Sequence, residues 1–405
     1  MTQAAIDTPK VPAAIGLYLA LVQFFFALTW VVYVIYLPQL VESAGLPRSV
    51  VPWLLMADQL VFIACDVAVG LASDRAAQLL GRLGRWMVAA TLLSMAAFVA
   101  LPFVAPGGSP ALLLGLTLLW AASSSLLRAP PMTLLGRYAA KPAQPGLVAL
   151  MLMGSGIAAA LAPYLGMVLK GWDARGPFVL SSLSLAAVTL GMVAAERALA
   201  RARAAQPAPA APVPAALRAA RPVTPIPGFM LAALLAALAF QVQANIVQAP
   251  GYLRLADASQ LPWLMPLFWV GFNLALMPAS QLTKRWGGLP VMAAAALGAA
   301  LASGLGWRAG SLPVLIAAQL LAGAGWAAVL MSAFSSALWF GHTGREGRLA
   351  GGLNALLAAA TLSRMGLVVT LAPAPAVAAG WGWIAVAGFV AAAMLLAAIW
   401  SRARR

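Results

Sequence analysis

The chain has only one cysteine and one histidine in 405 residues, and this scarcity excludes several classes of protein. A single cysteine, Cys65, cannot form a disulfide within the chain. One cysteine and one histidine also cannot build a His/Cys metal cluster, which needs about four such ligands. None of the four lysines follows a glycine, as the lysine of a Walker A phosphate loop does. We therefore expect no metal site, no cofactor, no direct use of ATP and no enzymatic activity.

Charged residues are scarce as well, and apolar residues are correspondingly abundant. Only 8% of the residues are charged, against about 25% in soluble domains. Hydrophobic residues make up 63% and mean hydropathy is +0.93, which predicts an all-α integral membrane protein. A bilayer core of about 30 Å needs about 20 helical residues to cross it. Twelve windows meet this requirement, near residues 12–36, 51–73, 86–106, 110–134, 146–169, 176–195, 228–250, 262–282, 289–307, 312–337, 348–371 and 379–400.

The 25 basic residues indicate how these helices are oriented, because Lys and Arg are retained on the cytoplasmic side of a membrane. Most of them fall in the segments that are cytoplasmic if the N-terminus is inside. Both termini are therefore expected in the cytoplasm, with the chain in the inner membrane. The net charge of +16 is scattered over short loops, so we expect no nucleic-acid partner.

A long basic loop divides the predicted helices into two groups of six. The predicted domains are a six-helix half over 1–195, an Ala/Pro linker over 196–227 and a second six-helix half over 228–405. GLASDR and GRLGRW flank the loop after helix 2, and PASQL and TKRWGG lie at the equivalent place after helix 8. Repeated halves that rock about a central site are a recurring plan of secondary transporters.

Four ionisable residues lie within the predicted helices: Asp58, Asp66, Arg128 and Arg364. Each is costly in a membrane unless it is paired, hydrated or placed in a protein-lined cavity. The helical rise puts Asp58 and Arg364 each about 10 Å from the outer boundary, and Asp66 and Arg128 about 22 Å and 27 Å from it. The predicted pairs are therefore Asp58 with Arg364 and Asp66 with Arg128. Either pair has a structural interpretation, and either one fits a carboxylate that couples a proton or Na⁺ to a conformational change.

Amides and other polar groups also recur at helical spacing. Gln241, Asn245 and Gln248 lie at i, i+4 and i+7 and predict an amide-lined face on helix 7. Such groups often serve only as hydrogen bonds between helices, but three amides on one face favour contact with a substrate. The full set of candidate substrate-binding residues is Gln23, Trp30, Tyr33, Gln241, Asn245, Gln248 and Ser332.

The segment GLASDRAAQLLGRLGRW, with twelve helices and a central basic loop, resembles the major facilitator superfamily and its loop motif, approximately G-x-x-x-D-R-x-x-G-R-R. Within that superfamily the segment is most similar to the glycoside-pentoside-hexuronide cation symporter branch. The resemblance implies that Asp66 takes part in cation coupling. It also implies a cytoplasmic gate that latches the two halves, formed by Gly70, Asp74, Arg75, Gly81, Arg82 and Arg85.

The chain departs from the symporter branch at one position that bears on the choice of cation. The branch has a second carboxylate one turn before the first, where this chain has Phe62. A single carboxylate suits a proton better than Na⁺, which prefers several oxygen ligands. ALAPYLGM in helix 5 echoes a motif of proton-coupled exporters, which leaves efflux open.

The expected function is secondary active transport by alternating access, as proton-coupled symport of a small polar solute driven by a proton or sodium gradient. The alternatives are proton-coupled efflux of drugs or metabolites and, in another class, a non-transporting assembly or delivery factor. The expected partners are a small-molecule substrate and the lipid bilayer, and the expected oligomeric state is a monomer.

Overall fold

A computed structural model of the chain describes residues 13–78, 83–107, 109–204, 226–341, 344–371 and 375–404. This part of the chain contains twelve helices that are long and apolar enough to span a bilayer, which confirms the predicted all-α membrane fold. They are α1 (Ala13–Ser43), α2 (Val51–Gln78), α3 (Leu83–Val104), α4 (Pro110–Ser124 and Pro130–Tyr138), α5 (Gln144–Val168), α6 (Arg175–Leu190 and Met192–Ala204), α7 (Ile226–Val242 and Gln248–Leu253), α8 (Leu261–Leu264 and Pro266–Trp286), α9 (Gly288–Trp307), α10 (Leu312–Gly341), α11 (Glu346–Leu371) and α12 (Pro375–Arg404).

Two of the interrupted helices contain irregular turns at membrane depth. In α4 a 3-10 turn over Ser125–Leu127 precedes the prolines Pro130 and Pro131, which have no N–H to continue the helix. In α7 a π-helical turn over Gln243–Val247 inserts an extra residue into the helical repeat. Both turns lie in segments whose apolar composition alone predicts unbroken helices.

The two six-helix groups, α1–α6 and α7–α12, meet along two pairs of helices. Helix α2 packs against α11, and α5 packs against α8. Large apolar side chains such as Leu180, Leu274 and Leu301 are more than 60% exposed, as expected for a surface that faces lipid. We call the end of the bundle that carries Asp74, Lys141, Gly287 and Glu346 the inner end.

Helix α6 continues beyond its predicted end at residue 195. Its second segment runs to Ala204, so that Glu196, which the sequence assigned to the linker, is buried. The Glu196 carboxylate accepts a hydrogen bond of 2.8 Å from the backbone N–H of Gly84, near the start of α3. A carboxylate is favourable there because a helix N-terminus has unpaired N–H groups and a partial positive charge. The rest of the linker, residues 205–225, lies outside the described residues.

Close packing of α8 and α10 depends on glycine. A side-chain carbon at Gly323 of α10 would collide with the carbonyl oxygen of Phe268 of α8, and one at Gly271 of α8 with that of Leu320. Membrane helices approach closely where small residues allow their backbones to touch, because dispersion contacts replace the hydrophobic effect as the driving force.

We expect Gly323→Ala to lower the free energy of unfolding by about 1–3 kcal/mol, the usual cost of forcing an extra methyl group into packed surroundings. Gly115→Ala in α4 is the matched control, because a side-chain carbon there meets nothing within 4 Å. Thermal melting of both variants in one detergent would measure the difference. Equal melting temperatures would contradict the close approach of α8 and α10.

Candidate coupling and gating site

The inner ion pair joins α2 to the interrupted helix α4. The Nε atom of Arg128 lies 3.0 Å from Oδ2 of Asp66, so the predicted pairing of these two residues is present. Asp66 is fully buried and the Arg128 side chain is 19% exposed. Neither carboxylate oxygen of Asp66 accepts an aligned hydrogen bond from the described residues. The two charges therefore compensate each other, while the carboxylate keeps unused acceptor capacity.

The break in α4 places Arg128 where it can reach Asp66. In a regular helix the carbonyl of Leu127 would accept from the N–H of residue 131, but Pro131 has none. Gln23 of α1 replaces that donor, since its Nε2 atom donates to the Leu127 oxygen at 2.8 Å. Gln23, which the sequence predicts as a substrate ligand, is a buried support for the α4 break in this structure.

Phe62 occupies the position of the missing second carboxylate and contacts the same arginine. The guanidinium carbon of Arg128 lies 4.5 Å from the centre of the Phe62 ring, which is the geometry of a cation–π interaction. Phe62 in turn packs against Ala358 of α11 and Ala121 of α4. Arg128 is therefore held by one carboxylate and one aromatic ring, both supplied by α2.

The outer pair predicted from depth, Asp58 with Arg364, is not formed in the described part of the chain. Asp58 instead accepts a 2.8 Å hydrogen bond on Oδ2 from the hydroxyl of Tyr33, and both side chains are fully buried. The Nε atom of Arg364 is buried and has no hydrogen-bond partner among the described residues. Residue counting gives the depth of each group but not the direction in which the helix turns it, which explains the error.

An aromatic cluster covers Asp58 and its partner Tyr33. The Trp30 ring lies 5.5 Å from Tyr33, 5.6 Å from Phe62 and 5.9 Å from Trp120, measured between ring centres. Trp30 is half-buried, whereas Tyr33 is fully enclosed. Of these two predicted substrate residues, only Trp30 presents an accessible surface in this conformation.

The predicted loop motif begins within the last turns of α2, and there it closes the inner end against the start of α11. Oδ1 of Asp74 accepts from the backbone N–H of Gly347 at 2.6 Å, and Oδ2 accepts from that of Arg348 at 2.8 Å. A carboxylate is stabilised there by the unpaired N–H groups and partial positive charge of a helix N-terminus. Gly70 lies so close to Gly347 that a side-chain carbon on either one would collide with the other's backbone.

Two of the other predicted gate residues lie within the described part of the chain. Arg75 and Arg85 are exposed at the inner end. Gly81 and Arg82 lie outside the described residues. Among the described gate residues, the carboxylate of Asp74 and the close crossing of α2 and α11 at Gly70 form the contact.

The predicted amide face of α7 is divided by the π-helical turn. Gln241 donates to the Thr361 hydroxyl of α11 at 2.8 Å and accepts from Asn245 at 3.1 Å. Gln248 lies beyond the turn and donates to the Met265 carbonyl of α8 at 3.2 Å. The extra residue of the π turn separates Gln248 from the other two amides, and no sequence periodicity indicated it.

Two further polar contacts connect helices of the second group. Ser332 was predicted to bind substrate, but it is fully buried and its hydroxyl lies 3.0 Å from that of Thr283 on α8. Gln243 and Gln319 form a buried hydrogen bond of 3.3 Å between α7 and α10, which the sequence reasoning missed. The sequence signal that could have indicated this contact is the presence of these two amides in otherwise apolar helices.

Comparisons with known proteins agree with this architecture. The family model described as Major Facilitator Superfamily matches residues 19–255. No curated protein matches the sequence.

Three solved structures have similar folds at low sequence identity. The human organic anion transporter MFSD10 (TETRAN) has a TM-score of 0.69 and 17% identity, covering 96% of this chain and 99% of that one. A bacterial homologue of the iron transporter ferroportin, outward-facing with soaked iron, has a TM-score of 0.74 and 15% identity, covering 95% and 99%. The E. coli fucose:proton symporter FucP has a TM-score of 0.65 and 15% identity, covering 97% and 99%.

We expect Asp74→Asn to open the inner end, because an amide oxygen is a weaker acceptor for the two N–H groups of α11 than a carboxylate. Hydrogen bonds to a charged group contribute about 1.5–3 kcal/mol, so the ratio of closed to open molecules should fall roughly tenfold or more. Spin labels at Arg197→Cys and Ser401→Cys, two exposed sites at the inner end, would report the distance between the helix groups in a Cys65→Ser background.

Asp173→Asn is the matched control for this experiment. Its carboxylate also accepts a backbone N–H at a helix start, from Arg175 at 2.8 Å, but both residues belong to the same end of α6. The control should leave the label distances unchanged. An unchanged distribution in Asp74→Asn as well would show that the Asp74 contact does not hold the inner end closed.

We expect Gln23→Met to destabilise the protein by about 1–3 kcal/mol, because the buried Leu127 carbonyl would lose its donor. Thr29→Val is the control, since Thr29 is equally buried on α1 but bonds only within its own helix, to the Phe26 carbonyl. Melting temperatures would separate the two variants. A Gln23→Met protein that melts like Thr29→Val would contradict the support of the α4 break by Gln23.

Proposed function

The chain belongs to the major facilitator superfamily, and on that premise we propose that it is a secondary active transporter that works by alternating access. The latch between Asp74 and the start of α11 supports this proposal, because its hydrogen bonds join the two helix groups at one end of the bundle. Helices α2 and α11 belong to different six-helix groups. Breaking this contact is what a change to the opposite, inner-open conformation requires.

The proposed mode is proton-coupled symport, with Asp66 as the coupling carboxylate. The observation that carries it is the fully buried Asp66 side chain, paired with Arg128 but lacking aligned hydrogen bonds to both oxygens. A bound proton would neutralise the carboxylate and release Arg128 from it. The reverse step would restore the pair, so protonation and the position of α4 relative to α2 are linked.

The surroundings of Asp66 favour a proton over Na⁺ as the coupling ion. A sodium ion needs several oxygen ligands, as other hard cations do. Here the side chain one turn earlier on α2 is the apolar ring of Phe62, and the closest charged group is the cation Arg128. Asp58, two turns away on the same helix, is bound to Tyr33 and is proposed as a secondary protonation site.

The proposed substrate is a small polar solute with oxygen acceptors. Three groups would contact it: the half-buried Trp30, the exposed Asn245 beside Gln241, and Arg364, which lies one turn beyond Thr361 on α11. The Nε atom of Arg364 has no partner within the described residues, and a carboxylate or hydroxyl oxygen would satisfy it. The names of two structural neighbours, an organic anion transporter and a fucose:proton symporter, fit such solutes.

Efflux of drugs or metabolites is the alternative mode, supported by Pro163 within α5 in the exporter-like segment ALAPYLGM. The direction of solute movement under an imposed pH gradient distinguishes it from symport. A non-transporting assembly or delivery factor is the alternative of another class, and it predicts no solute movement. We further propose a monomer in the inner membrane with both termini in the cytoplasm, because the basic residues favour that orientation.

We expect Asp66→Asn to abolish gradient-driven accumulation while the protein remains folded and inserted, because an amide cannot exchange a proton. The measurement is a solute screen in vesicles containing the purified protein, with and without pH and Na⁺ gradients, repeated on the variant with each transported solute. Asp257→Asn, in an exposed loop at the outer end, is the control and should transport normally.

The double variant Asp66→Arg with Arg128→Asp separates coupling from simple charge compensation. Restored folding without restored accumulation supports a coupling role for Asp66 itself. Full accumulation in Asp66→Asn would remove this residue from the mechanism.

A further inference from the structure

Two adjoining cavities lie at the inner end, on the side of the bundle away from the α2–α11 contact. The first, of about 720 Å³, lies between the start of α5 and the inner ends of α8, α9 and α10. The second, of about 840 Å³, extends along α9 and α10. Trp286, Pro290 and Trp400 line both cavities, so the two lie side by side and share a wall.

The first cavity has the chemistry of an anion site. Lys141 and Lys284 line it together with the hydroxyl residues Ser335 and Ser336. Within the described part of the chain, neither lysine forms an ion pair with a carboxylate. Lys141 lies over the Trp339 ring at 4.3 Å, which orients its ammonium group but leaves its positive charge uncompensated.

The second cavity is an apolar groove with a cation at its inner end. Its lining is mainly Ala, Leu and Gly of α9 and α10, with Arg285 as its only charged residue. The groove follows α9 from Pro290 to Leu305, about 22 Å at the helical rise of 1.5 Å per residue. One leaflet of a bilayer core is about 15 Å thick, so the groove is long enough for a complete acyl chain.

We propose that this site binds an anionic glycerophospholipid from the leaflet at the inner end. The phosphate group lies between Lys141 and Lys284, and an acyl chain follows the groove of α9 past Gly298. A free phosphate ion would use only the first cavity, and a neutral lipid would gain nothing from the lysines. The combination of charge and groove length therefore favours one occupant that has both an anionic headgroup and a long chain.

The lipid would also connect the two six-helix groups. Lys141 lies between α4 and α5, whereas Lys284 belongs to α8. Because an opening of the inner end must separate α5 from α8 there, a lipid bound to both lysines stabilises the closed inner end. This regulation goes beyond the proposed transport, and the binding itself can be measured without a substrate.

The test is native mass spectrometry of the full chain, released from nanodiscs that contain phosphatidylcholine with or without phosphatidylglycerol. We expect phosphatidylglycerol to remain bound and phosphatidylcholine to dissociate. Lys141→Gln with Lys284→Gln should weaken phosphatidylglycerol binding roughly thirtyfold, the usual contribution of two lysines at a membrane surface. Lys170→Gln, which removes a charge from an exposed turn at the outer end, is the control and should bind normally.

A second variant tests the groove separately from the charges. A side-chain carbon at Gly298 meets nothing within 4 Å, so Gly298→Trp should fill the groove without disturbing the fold. We expect this variant to lose the retained lipid and keep its melting temperature. Retention of phosphatidylglycerol at the level of the unmodified protein, in either Gly298→Trp or the double lysine variant, would overturn the proposal. Displacement of the lipid from the unmodified protein by millimolar inorganic phosphate would also overturn it, in favour of a free-anion site.

Discussion

A bilayer offers no water to backbone amides and carbonyls, and the polar contacts of this protein follow from that constraint. Where α4 is interrupted before Pro130 and Pro131, Gln23 from α1 supplies the missing donor to the Leu127 carbonyl. Near the interruption of α8, Gln248 from α7 donates to the Met265 carbonyl, which places another amide on the backbone. Two side chains that resemble substrate ligands in the sequence, Gln23 and Gln248, thus bond to the backbone, and they leave fewer polar groups for a solute.

The break in α4 links this backbone constraint to the proposed chemistry. It presents Arg128 to α2, where Asp66 and Phe62 hold it from one side. Two turns further along α2, Asp74 binds the start of α11, so one helix carries both the proposed coupling carboxylate and the closing contact. A shift of α2 relative to α4 would act on both. The physical basis for coupling is therefore a short, rigid connection within a single helix.

The sequence predicted the depth of each charged residue along its helix, and the contacts that follow from depth alone could be predicted. Asp66 and Arg128 were expected to meet because their depths are similar, and they do. The same reasoning failed for Asp58 and Arg364. Helix α2 turns the Asp58 side chain toward Tyr33, which donates a hydrogen bond to it. The prediction of one amide face on α7 differs from the structure for a related reason. The π turn over Gln243–Val247 changes which way Gln248 points. Ser332, predicted as a ligand, is buried between α8 and α10 in this conformation, and the sequence does not indicate that burial because it is a property of packing.

The sequence by itself determined the class of the protein: a scarcity of charge, twelve apolar windows and a basic motif after α2 are sufficient for a twelve-helix membrane fold. Hydropathy and helical rise act locally, so composition along the chain predicts which segments cross the membrane and how deep each charge lies. Only the tertiary structure decided the partner of each charge, the role of each amide and the adjoining cavities near Lys141 and Lys284. These features depend on how each helix is rotated and how far apart the helices lie. Close packing between residues that are far apart in the chain determines both.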